Sequence, residues 1–331
     1  MKSVPCFSSE TSIAFIYFWK VTLLDISRCL GDLRLPLGGS CVALGLFDGL
    51  HLGHMAVIER MLAMAGAERL TPLVFTFTAT GGGPASKGNM TGLLSFEMMC
   101  DLLETRGVKQ VVCPDFEQFR DLSPERFVSD VLAGHLGAAA VICGEDFRFG
   151  KNAGGDLSAL RHLCASDNIT VQVVPTITLD GQPVASRSIR RLVECGDIAT
   201  ANRLLGRPFT IDFEVIHGRQ LGRTLSIPTI NQAFPVGFTL PRFGVYLTRV
   251  PVSGRVYSGL TNVGVKPTIG ERHPPLSETF IQGFEGDLYG KRVEVEFLRF
   301  LREEQKFGSI EELKAAITAD LAHIKAIIDG E

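Results

Sequence analysis

Two histidines, His51 and His54, stand three residues apart just behind an apolar run at residues 41–44. The run predicts a short buried strand, the Asp-Gly pair after it a tight turn, and apolar residues at helical spacing a helix from Leu50 to Ala65. Both histidines would then lie on one face of the first turn of that helix. The amide N–H groups of a first turn have no intrahelical partner and lie at the positive end of the helix dipole, so this position favours an anion.

A histidine pair at this spacing can also be two ordinary surface residues, which are common, or half of a metal site. No third ligand stands at a suitable spacing, so zinc is the weaker alternative. The preceding strand and turn supply the structural context that gives the pair meaning. Gly53, between the histidines, leaves room for a phosphate to approach the backbone, so the segment predicts a nucleotide-phosphate site.

A second group of polar residues follows Pro228. Thr229 and Asn231 are two residues apart, so on an extended segment their side chains point to the same side. A hydroxyl and an amide carbonyl are oxygen ligands suited to Mg²⁺ that bridges ATP phosphates, although a turn capped by Asn231 would also account for the pattern. The preceding loop lacks both the Walker and the protein-kinase glycine patterns, but it offers candidate phosphate-binding residues. These are Gly218, Gly222 and Arg223.

The elements predicted around the histidines alternate between strands and helices as far as about residue 205. Such alternation predicts a parallel sheet covered on both faces, with ligands at the carboxyl ends of its strands. Further helices are predicted to start at Ser186 and Asp197. The other predicted strands are 73–77, 109–113, 140–143 and 170–174, and the other predicted helices are 94–106, 123–136 and 156–165.

From Phe209 onward the pattern changes to short alternating segments separated by Gly, Pro and Asn, which predicts a small antiparallel barrel. A closing helix is expected from Ser309, with Glu312 completing a capping box. The chain is therefore divided into residues 1–203, of which 1–20 are a possible extension, and residues 204–331. The predicted barrel strands are 212–216, 244–250, 256–263, 278–281 and 292–297.

Composition limits the classes of protein to which the chain can belong. Its 331 residues fit two domains, and 36 acidic residues outnumber 33 Lys and Arg, which argues against a nucleic-acid or anionic-membrane partner. Eight cysteines without a C-x-x-C pair predict reduced thiols in a cytoplasmic protein. The apolar run 13–19 is short and lacks a clear cleavage site, and no segment is long enough to span a membrane. We expect a monomer or a weak homo-oligomer.

The segment Gly45 to His54 resembles the H-x-G-H signature of the nucleotidyltransferase superfamily. It has the G-x-F-D-G-x-H-x-G-H form found in bacterial bifunctional riboflavin kinase/FMN adenylyltransferases, also called FAD synthetases. Pro228 to Asn231 is similar to the P-T-A-N motif of riboflavin kinases, and the resemblance extends over about residues 40–328. It implies a Rossmann-like, nucleotidyltransferase-like α/β domain followed by a riboflavin kinase β-barrel with a C-terminal helix. It also implies that riboflavin is phosphorylated to FMN with Mg-ATP and that FMN is adenylylated to FAD.

The resemblance also implies roles for particular residues. His51 and His54 would stabilise charge on the α-phosphate during attack, without a covalent intermediate. Glu278 would be the general base on the riboflavin hydroxyl, with Thr229 and Asn231 as magnesium ligands. The remaining nucleotide-binding candidates of the first module are Gly45, Phe47, Gly53, Asp146, Ser186 and Arg190. The flavin-binding candidates are Asn262, Gly264, Pro267 and Thr268.

Three departures from the family pattern leave alternatives open. The F-D-P-H-P segment reads Phe77-Thr78-Ala79-Thr80-Gly81, S-S-T reads Ala185-Ser186-Arg187, and Leu46 stands where asparagine is frequent. One alternative is a monofunctional riboflavin kinase with a degenerate adenylyltransferase domain. Another is a non-catalytic flavin or nucleotide sensor, although a pure binder has no need of a base. A class I aminoacyl-tRNA synthetase is disfavoured, because the chain has no K-M-S-K-S-like segment and little basic surface.

Overall fold

A computed structural model describes residues 24–32, 38–78, 91–218, 228–265 and 274–305, with residues 308–309, 311–312, 315–316 and 318–321 near the C-terminus. Several sequence-based predictions lie outside these ranges. They concern the possible extension 1–20, residues 79–81 and most of the C-terminal helix. Four candidate site residues also lie outside: Gly222, Arg223, Pro267 and Thr268.

The N-terminal residues form a six-stranded sheet in the order β1-β4-β3-β2-β5-β6, with every neighbouring pair parallel. The predicted parallel α/β architecture is confirmed. The edge strand β1 was not predicted, because three residues carry too little pattern to indicate a strand. The strands are β1 (Asp25–Ser27), β2 (Ser40–Leu44), β3 (Thr71–Phe75), β4 (Gln110–Val112), β5 (Ala138–Gly144) and β6 (Thr170–Val174).

Helices cover both faces of this sheet, close to the positions that the sequence predicts. Two hydrophobic clusters, one on each face, sandwich central strands whose side chains are almost fully buried. The segment predicted as one helix over 123–136 begins as α-helix and continues as the wider π-helix Phe127–His135. The α-helices are α1 (Leu52–Glu68), α2 (Phe96–Thr105), α3 (Pro124–Arg126), α4 (Leu157–Ser166), α5 (Ser186–Cys195) and α6 (Ile198–Leu205).

Most of the described cysteines are buried in these clusters as free thiols, namely Cys41, Cys100, Cys113, Cys143 and Cys164. Burial raises the pKa of the Cys41 thiol to about 11 and that of Cys100 to about 12. Thiols with such pKa values stay protonated and unreactive at neutral pH. They serve as small apolar residues of the core.

The C-terminal residues form a seven-stranded antiparallel sheet in the order β10-β11-β14-β13-β12-β15-β9. It curls towards closure, since Val215 of β10 exchanges hydrogen bonds with residues 290 and 291 just before β15. The antiparallel, curled fold is confirmed. Between β6 and this sheet lies the small hairpin β7 (Thr178–Leu179) and β8 (Gln182–Pro183). The sheet strands are β9 (Phe209–Ile211), β10 (Val215–Ile216), β11 (Thr229–Ala233), β12 (Gly244–Val252), β13 (Arg255–Gly264), β14 (Leu276–Ile281) and β15 (Val295–Arg302).

The interior of this sheet contains an aromatic core and a row of hydroxyls. Tyr246, Phe209 and Phe297 are fully buried and pack edge to face or tilted. Thr248, Thr261 and Thr279 form a chain of hydroxyl hydrogen bonds across three strands, with oxygen separations of 2.8 and 2.9 Å. Since these threonines face the interior, their sequence neighbours face the outer side of the sheet. Glu278, the neighbour of Thr279, therefore lies on the outer face.

The two modules are joined by the helical hairpin of α5 and α6, which shares a hydrophobic cluster with the curled sheet. Asp197 caps α6, and Gly206 ends it in the left-handed conformation, as the sequence predicts. The predicted boundary at residues 203 and 204 falls in the last turn of α6. Near the C-terminus, Ser309 accepts a hydrogen bond from the Glu312 amide, and Leu321 packs on the outer face of the sheet.

Candidate active sites

The histidine-bearing loop lies at the carboxyl end of β2, between that strand and α1. The helix begins at Leu52, two residues later than predicted, because His51 acts as its N-cap and not as its second residue. Two buried side chains of the loop, Phe47 and Leu50, have positive φ angles of 51° and 41°. Their burial anchors the tight turn and sets the direction in which the helix leaves the sheet.

The two imidazoles stack on each other above the first turn of α1. Their ring centroids are 3.6 Å apart with an interplanar angle of 15°, and the backbone N–H of His54 donates to His51 Nδ1 over 3.2 Å. Because His51 Nδ1 accepts this bond, Nε2 is the nitrogen of that ring that can donate to a ligand. The Phe47 ring packs edge-on against His54 and is 1% exposed, so a buried side chain holds the His54 ring in place.

Gly53 is needed for this stacking. A Cβ at residue 53 would lie 3.1 Å from Cε1 and 3.2 Å from Nδ1 of His51, closer than ordinary contacts. The glycine therefore lets His51 fold back over the helix N-terminus. Admission of a phosphate, the role that the sequence suggested for this glycine, stays a prediction.

Asp48 is the point on which the other polar side chains of the loop region converge. Ser186 donates to Asp48 Oδ1 over 2.6 Å, and Arg190 forms an ion pair with Oδ2. His54 Nε2 lies 4.0 Å from Oδ1. Arg190 also donates through Nε to the carbonyl oxygen of Thr91 over 2.7 Å. The side chains of Asp48 and Arg190 are only 12% and 16% exposed, so the pair is shielded from solvent.

The structure therefore brings four of the predicted residues together: His51, His54, Ser186 and Arg190. Ser186 is the first residue of α5 and not its cap, so its hydroxyl is available to Asp48. Sequence reasoning missed Asp48 as a site residue because its carboxylate suggested only a turn. An acid placed between a strand end and the histidine pair was the signal that could have identified it.

The remaining candidates of this module lie around the same sheet edge. Gly45 follows β2 directly, and a Cβ there would touch the Phe47 ring at 3.0 Å. Asp146 is exposed in the turn after β5, the strand adjacent to β2, and stays a predicted nucleotide contact. Thr78 pairs with Asp115 in a parallel bridge, and its backbone N–H donates to the Pro114 carbonyl over 3.0 Å.

A second group of polar residues lies on the outer face of the curled sheet. Asn231 on β11, Glu278 on β14 and Asn262 on β13 are register partners in three adjacent strands. Directly opposed residues of antiparallel strands point to one face with Cβ atoms about 5 Å apart. Thr229 stands two residues before Asn231 and shares that face. The structure thus brings the predicted hydroxyl, amide and carboxylate together.

Two glycines, Gly218 and Gly264, let neighbouring side chains approach the backbone closely beside these polar residues. A Cβ at Gly218 would lie 2.6 Å from Nδ2 of Asn231, so the start of the glycine-containing loop touches that amide. A Cβ at Gly264 would lie 2.8 Å from a carboxylate oxygen of Glu304, which also accepts from Asn262 over 3.2 Å. Glu304 was missed because it lies 42 residues after Asn262 in an unpatterned segment.

Two known families match different parts of the chain. Residues 36–188 match the FAD synthetase family, and residues 205–328 match the riboflavin kinase family. Fold and sites together define a class of two-module transferase, in which a nucleotidyltransferase-like α/β module is followed by a riboflavin kinase module.

Full-length relatives narrow this class to one family. The bifunctional riboflavin kinase/FMN adenylyltransferase of Pseudomonas fluorescens is 35% identical over 305 residues, covering 92% of this chain and 98% of the relative. Its counterpart in Escherichia coli K12 is 31% identical over 299 residues, covering 86% and 91%. The chain belongs to the bifunctional riboflavin kinase/FMN adenylyltransferase family, whose members are both a kinase and a nucleotidyltransferase.

A solved structure also shares the whole architecture. A protein from Streptococcus pneumoniae, described as a macrolide-efflux protein, superimposes with a TM-score of 0.79 at 26% identity. The match covers 91% of this chain and 98% of that protein. Within the described ranges, no helix combines the length and the apolar character needed to cross a bilayer.

Proposed function

We propose that the α/β module transfers the adenylyl group of ATP to FMN and that the curled-sheet module phosphorylates riboflavin. One observation carries the proposal: each module gathers at one place the side chains that its reaction requires. His51, His54, Ser186 and Arg190 meet around Asp48 in the first module. Thr229, Asn231 and Glu278 share one face in the second.

Adenylyl transfer needs positive charge around the triphosphate of ATP. In this proposal the N–H groups at the start of α1 and the Arg190 guanidinium hold the phosphates, with Ser186 as a further donor. The FMN phosphate attacks the α-phosphorus, a new P–O bond forms, and pyrophosphate leaves. His51 and His54 donate to the α-phosphate as negative charge increases there, which lowers the barrier by electrostatic stabilisation.

Riboflavin phosphorylation needs a base and a way to neutralise the triphosphate. Glu278 accepts the proton of the riboflavin 5′-hydroxyl. As it does so, the hydroxyl oxygen bonds to the γ-phosphorus of ATP, and ADP leaves. Asn262 stands beside Glu278 on the next strand and would orient the flavin, and Gly264 stays a predicted flavin contact. Pro267 and Thr268 remain predicted flavin contacts.

The residues present suit magnesium that arrives with ATP. Thr229 and Asn231 provide neutral oxygen donors, and the Gly218 backbone lies against the Asn231 amide where a side chain would intrude. Mg²⁺ uses few protein ligands beside phosphate oxygens and water, so a hydroxyl and an amide carbonyl would suffice to hold it. When bound, the ion supplies charge neutralisation for the transferred phosphoryl group. Gly222 and Arg223 complete the predicted phosphate loop.

The two alternatives weighed from the sequence are not favoured by the comparisons, because relatives with both activities match nearly the whole chain. Cytoplasmic location, a monomeric or weakly associating state and the absence of nucleic-acid partners stay predictions. Riboflavin, FMN and ATP are the substrates proposed.

Two substitutions in the full-length protein test the assignment of the sites. His54→Ala should reduce FAD formation from FMN and Mg-ATP by about 100-fold or more while FMN formation from riboflavin continues. Glu278→Gln should abolish FMN formation and leave FAD formation from supplied FMN intact, since it removes only the base. Flavins are separated by chromatography after incubation with each substrate.

The wild-type protein serves as the reference in both assays. If it forms no FAD above background, the first module is degenerate and the proposal for it is wrong. If either single substitution removes both activities from a folded protein, the two sites are not separate and the proposal is wrong.

A further inference from the structure

The segment Thr91 to Leu93 connects the two modules through its backbone. Its middle residue, Gly92, donates from N–H to the Gly237 carbonyl over 2.7 Å and accepts at its own carbonyl from the Thr239 N–H over 2.8 Å. Gly237 and Thr239 belong to the second module, between β11 and β12. These two backbone bonds form a parallel bridge between Gly92 and Phe238, so the segment pairs directly with the curled-sheet module.

Two residues of this segment, Thr91 and Leu93, hold parts of the first site. The carbonyl oxygen of Thr91 accepts from Nε of Arg190 over 2.7 Å, and the Leu93 N–H donates to the carbonyl oxygen of Asp48 over 3.1 Å. Arg190 and Asp48 are ion-paired to each other. The direction of the guanidinium is thus set by Asp48 on one side and by the Thr91 carbonyl on the other.

A hydrogen bond between two side chains also links residues 91–93 to the second module. The hydroxyls of Thr91 and Thr239 are 2.8 Å apart, and Thr239 is fully buried. A buried hydroxyl that lost its partner would carry a desolvation penalty, so the pair resists separation. Nothing in the proposed adenylyl transfer or kinase chemistry requires Thr239, which lies in neither group of reacting side chains.

We propose that Thr239 is a positioning residue for FMN adenylylation: from the kinase module it fixes Thr91, and through the Thr91 carbonyl it aims Arg190 at the triphosphate. The inference rests on the proposed function of the first module. It makes the adenylyltransferase site dependent on a residue of the other module, although that residue touches no substrate.

Arg207 supports the same site from the connection between the modules. Its guanidinium donates to the carbonyl oxygen of Gly49 over 2.8 Å, in the turn directly after Asp48. A Cβ on the preceding Gly206 would lie 2.6 Å from a methyl carbon of Leu52, so the connection packs tightly on the start of α1. The loop that carries Asp48 is therefore held by Leu93 of its own module on one side and by Arg207, from outside the α/β module, on the other.

The test uses Thr239→Val, which keeps the shape and removes the hydroxyl, in the full-length protein. We expect KM for ATP in FAD formation to rise about fivefold, the equivalent of one neutral hydrogen bond, with KM for FMN unchanged. Thr239→Ser, which keeps the hydroxyl, should restore the wild-type value. Riboflavin phosphorylation should stay unchanged in both variants.

A double-mutant cycle tests whether the effect of Thr239→Val on KM for ATP passes through Arg190. In an Arg190→Met background, Thr239→Val should raise KM for ATP no further, because the group that it positions is gone. Thr248→Val is the matched control, since it breaks another threonine pair of 2.8 Å within the curled sheet, away from residues 91–93. It should leave FAD formation unchanged.

The outcomes separate this inference from the proposed function. Absence of FAD formation by the wild-type protein would refute the proposed function. FAD formation that falls with Arg190→Met but not with Thr239→Val would refute the inference alone, as would additive effects in the double variant. If Thr239→Val does not fold, Thr91→Val removes the same bond from the other partner and is judged by the same KM values.

Discussion

The carboxylate of Asp48 accepts hydrogen bonds from Ser186 and Arg190, side chains that arrive 138 and 142 residues later in the chain. A shielded carboxylate is stable only when charge and hydrogen bonds compensate its lost hydration. Arg190 supplies the charge, and in the proposed reaction the same guanidinium also meets the triphosphate. Asp48 therefore holds the Arg190 guanidinium in place before ATP arrives.

Replacing Asp48 by Asn tests this arrangement. The amide keeps the size of the side chain but not its charge, so Arg190 loses its counter-ion and one of the two groups that aim it. We expect FAD formation to fall about tenfold or more, and the free energy of unfolding to fall by about 1–2 kcal/mol since the pair is largely shielded. Steady-state FAD formation and thermal unfolding measure the two effects.

A surface ion pair of the same module provides the control. Glu59 and Arg106 are 3.2 Å apart with both side chains more than half exposed. Glu59→Gln should therefore change neither stability nor FAD formation measurably. An Asp48→Asn variant that behaved like Glu59→Gln would show that the carboxylate does not hold Arg190 in place for catalysis.

The sequence identified the histidines and Ser186 through local spacing and motif, but it could not identify their partners. Asp48 was visible in the motif, yet its role depends on contacts that only the tertiary fold creates. The same holds for Glu304, which meets Asn262 and the Gly264 backbone from a segment without periodicity. Polar partners brought together across distant segments leave no pattern in the sequence.

At the scale of elements, the start of α1 decides the geometry of the first site. Hydrophobic spacing predicted this helix, but it could not show that His51 would cap it, because the apolar pattern does not include the cap. The cap makes His51 fold back over the first turn, where its ring stacks on His54. That position is open only because residue 53 has no side chain.

Gly53→Ala should therefore harm activity without harming the helix. Alanine favours helix by up to about 1 kcal/mol over glycine, but its Cβ would lie 3.1 Å from the His51 ring. We expect FAD formation to fall about tenfold, because the imidazole must shift by a few tenths of an ångström from its stacked position, while the melting temperature stays equal or rises. Enzyme assays and thermal unfolding separate the two effects.

The same helix contains a matched control. A Cβ on Gly66, in its last turn, would meet no atom within 4 Å. Gly66→Ala should raise stability slightly and leave FAD formation unchanged. Equal activity of the two alanine variants would mean that the stacked position of His51 is not needed for adenylyl transfer.

The elements of the second module were predicted from alternation, and their antiparallel arrangement is confirmed although several bounds moved. Of the segment predicted as strand 212–216, only Val215 and Ile216 form a strand, β10, and the preceding strand β9 ends at Ile211. Strand β15 runs from Val295 to Arg302 where 292–297 was predicted. Asp212 and Arg292 lie just outside these strands and pair with each other, and Arg292 forms an isolated antiparallel bridge with Glu214. Alternation of apolar and polar residues does not show where hydrogen-bonded pairing between strands begins and ends.

At the scale of the whole molecule, that ion pair also joins the modules. Asp212 accepts from the Ser95 hydroxyl over 2.8 Å, and Ser95 at the same time caps α2 of the first module. Arg292 pairs with Asp212 and also lies 3.3 Å from Glu97 in the first turn of α2. The helix cap and the curled sheet therefore share one charged group.

Arg292→Met tests how far this group couples the two modules. The substitution keeps most of the apolar stem but leaves Asp212, whose side chain is 9% exposed, without its cation. Since Arg292 itself is 45% exposed, we expect a loss of only about 1–2 kcal/mol in the free energy of unfolding, or about 2–6 °C in melting temperature. The first module should also begin to unfold before the second, because the cap of α2 is weakened.

A second substitution separates the charge of Asp212 from its hydrogen bond. Adding Asp212→Asn to Arg292→Met removes the uncompensated charge and should recover part of the lost stability, because the neutral amide costs less to bury than a carboxylate without its cation. Calorimetry of the wild-type protein and of both variants measures the recovery. A double variant less stable than Arg292→Met alone would show that Asp212 stabilises the junction through Ser95 and not through its charge.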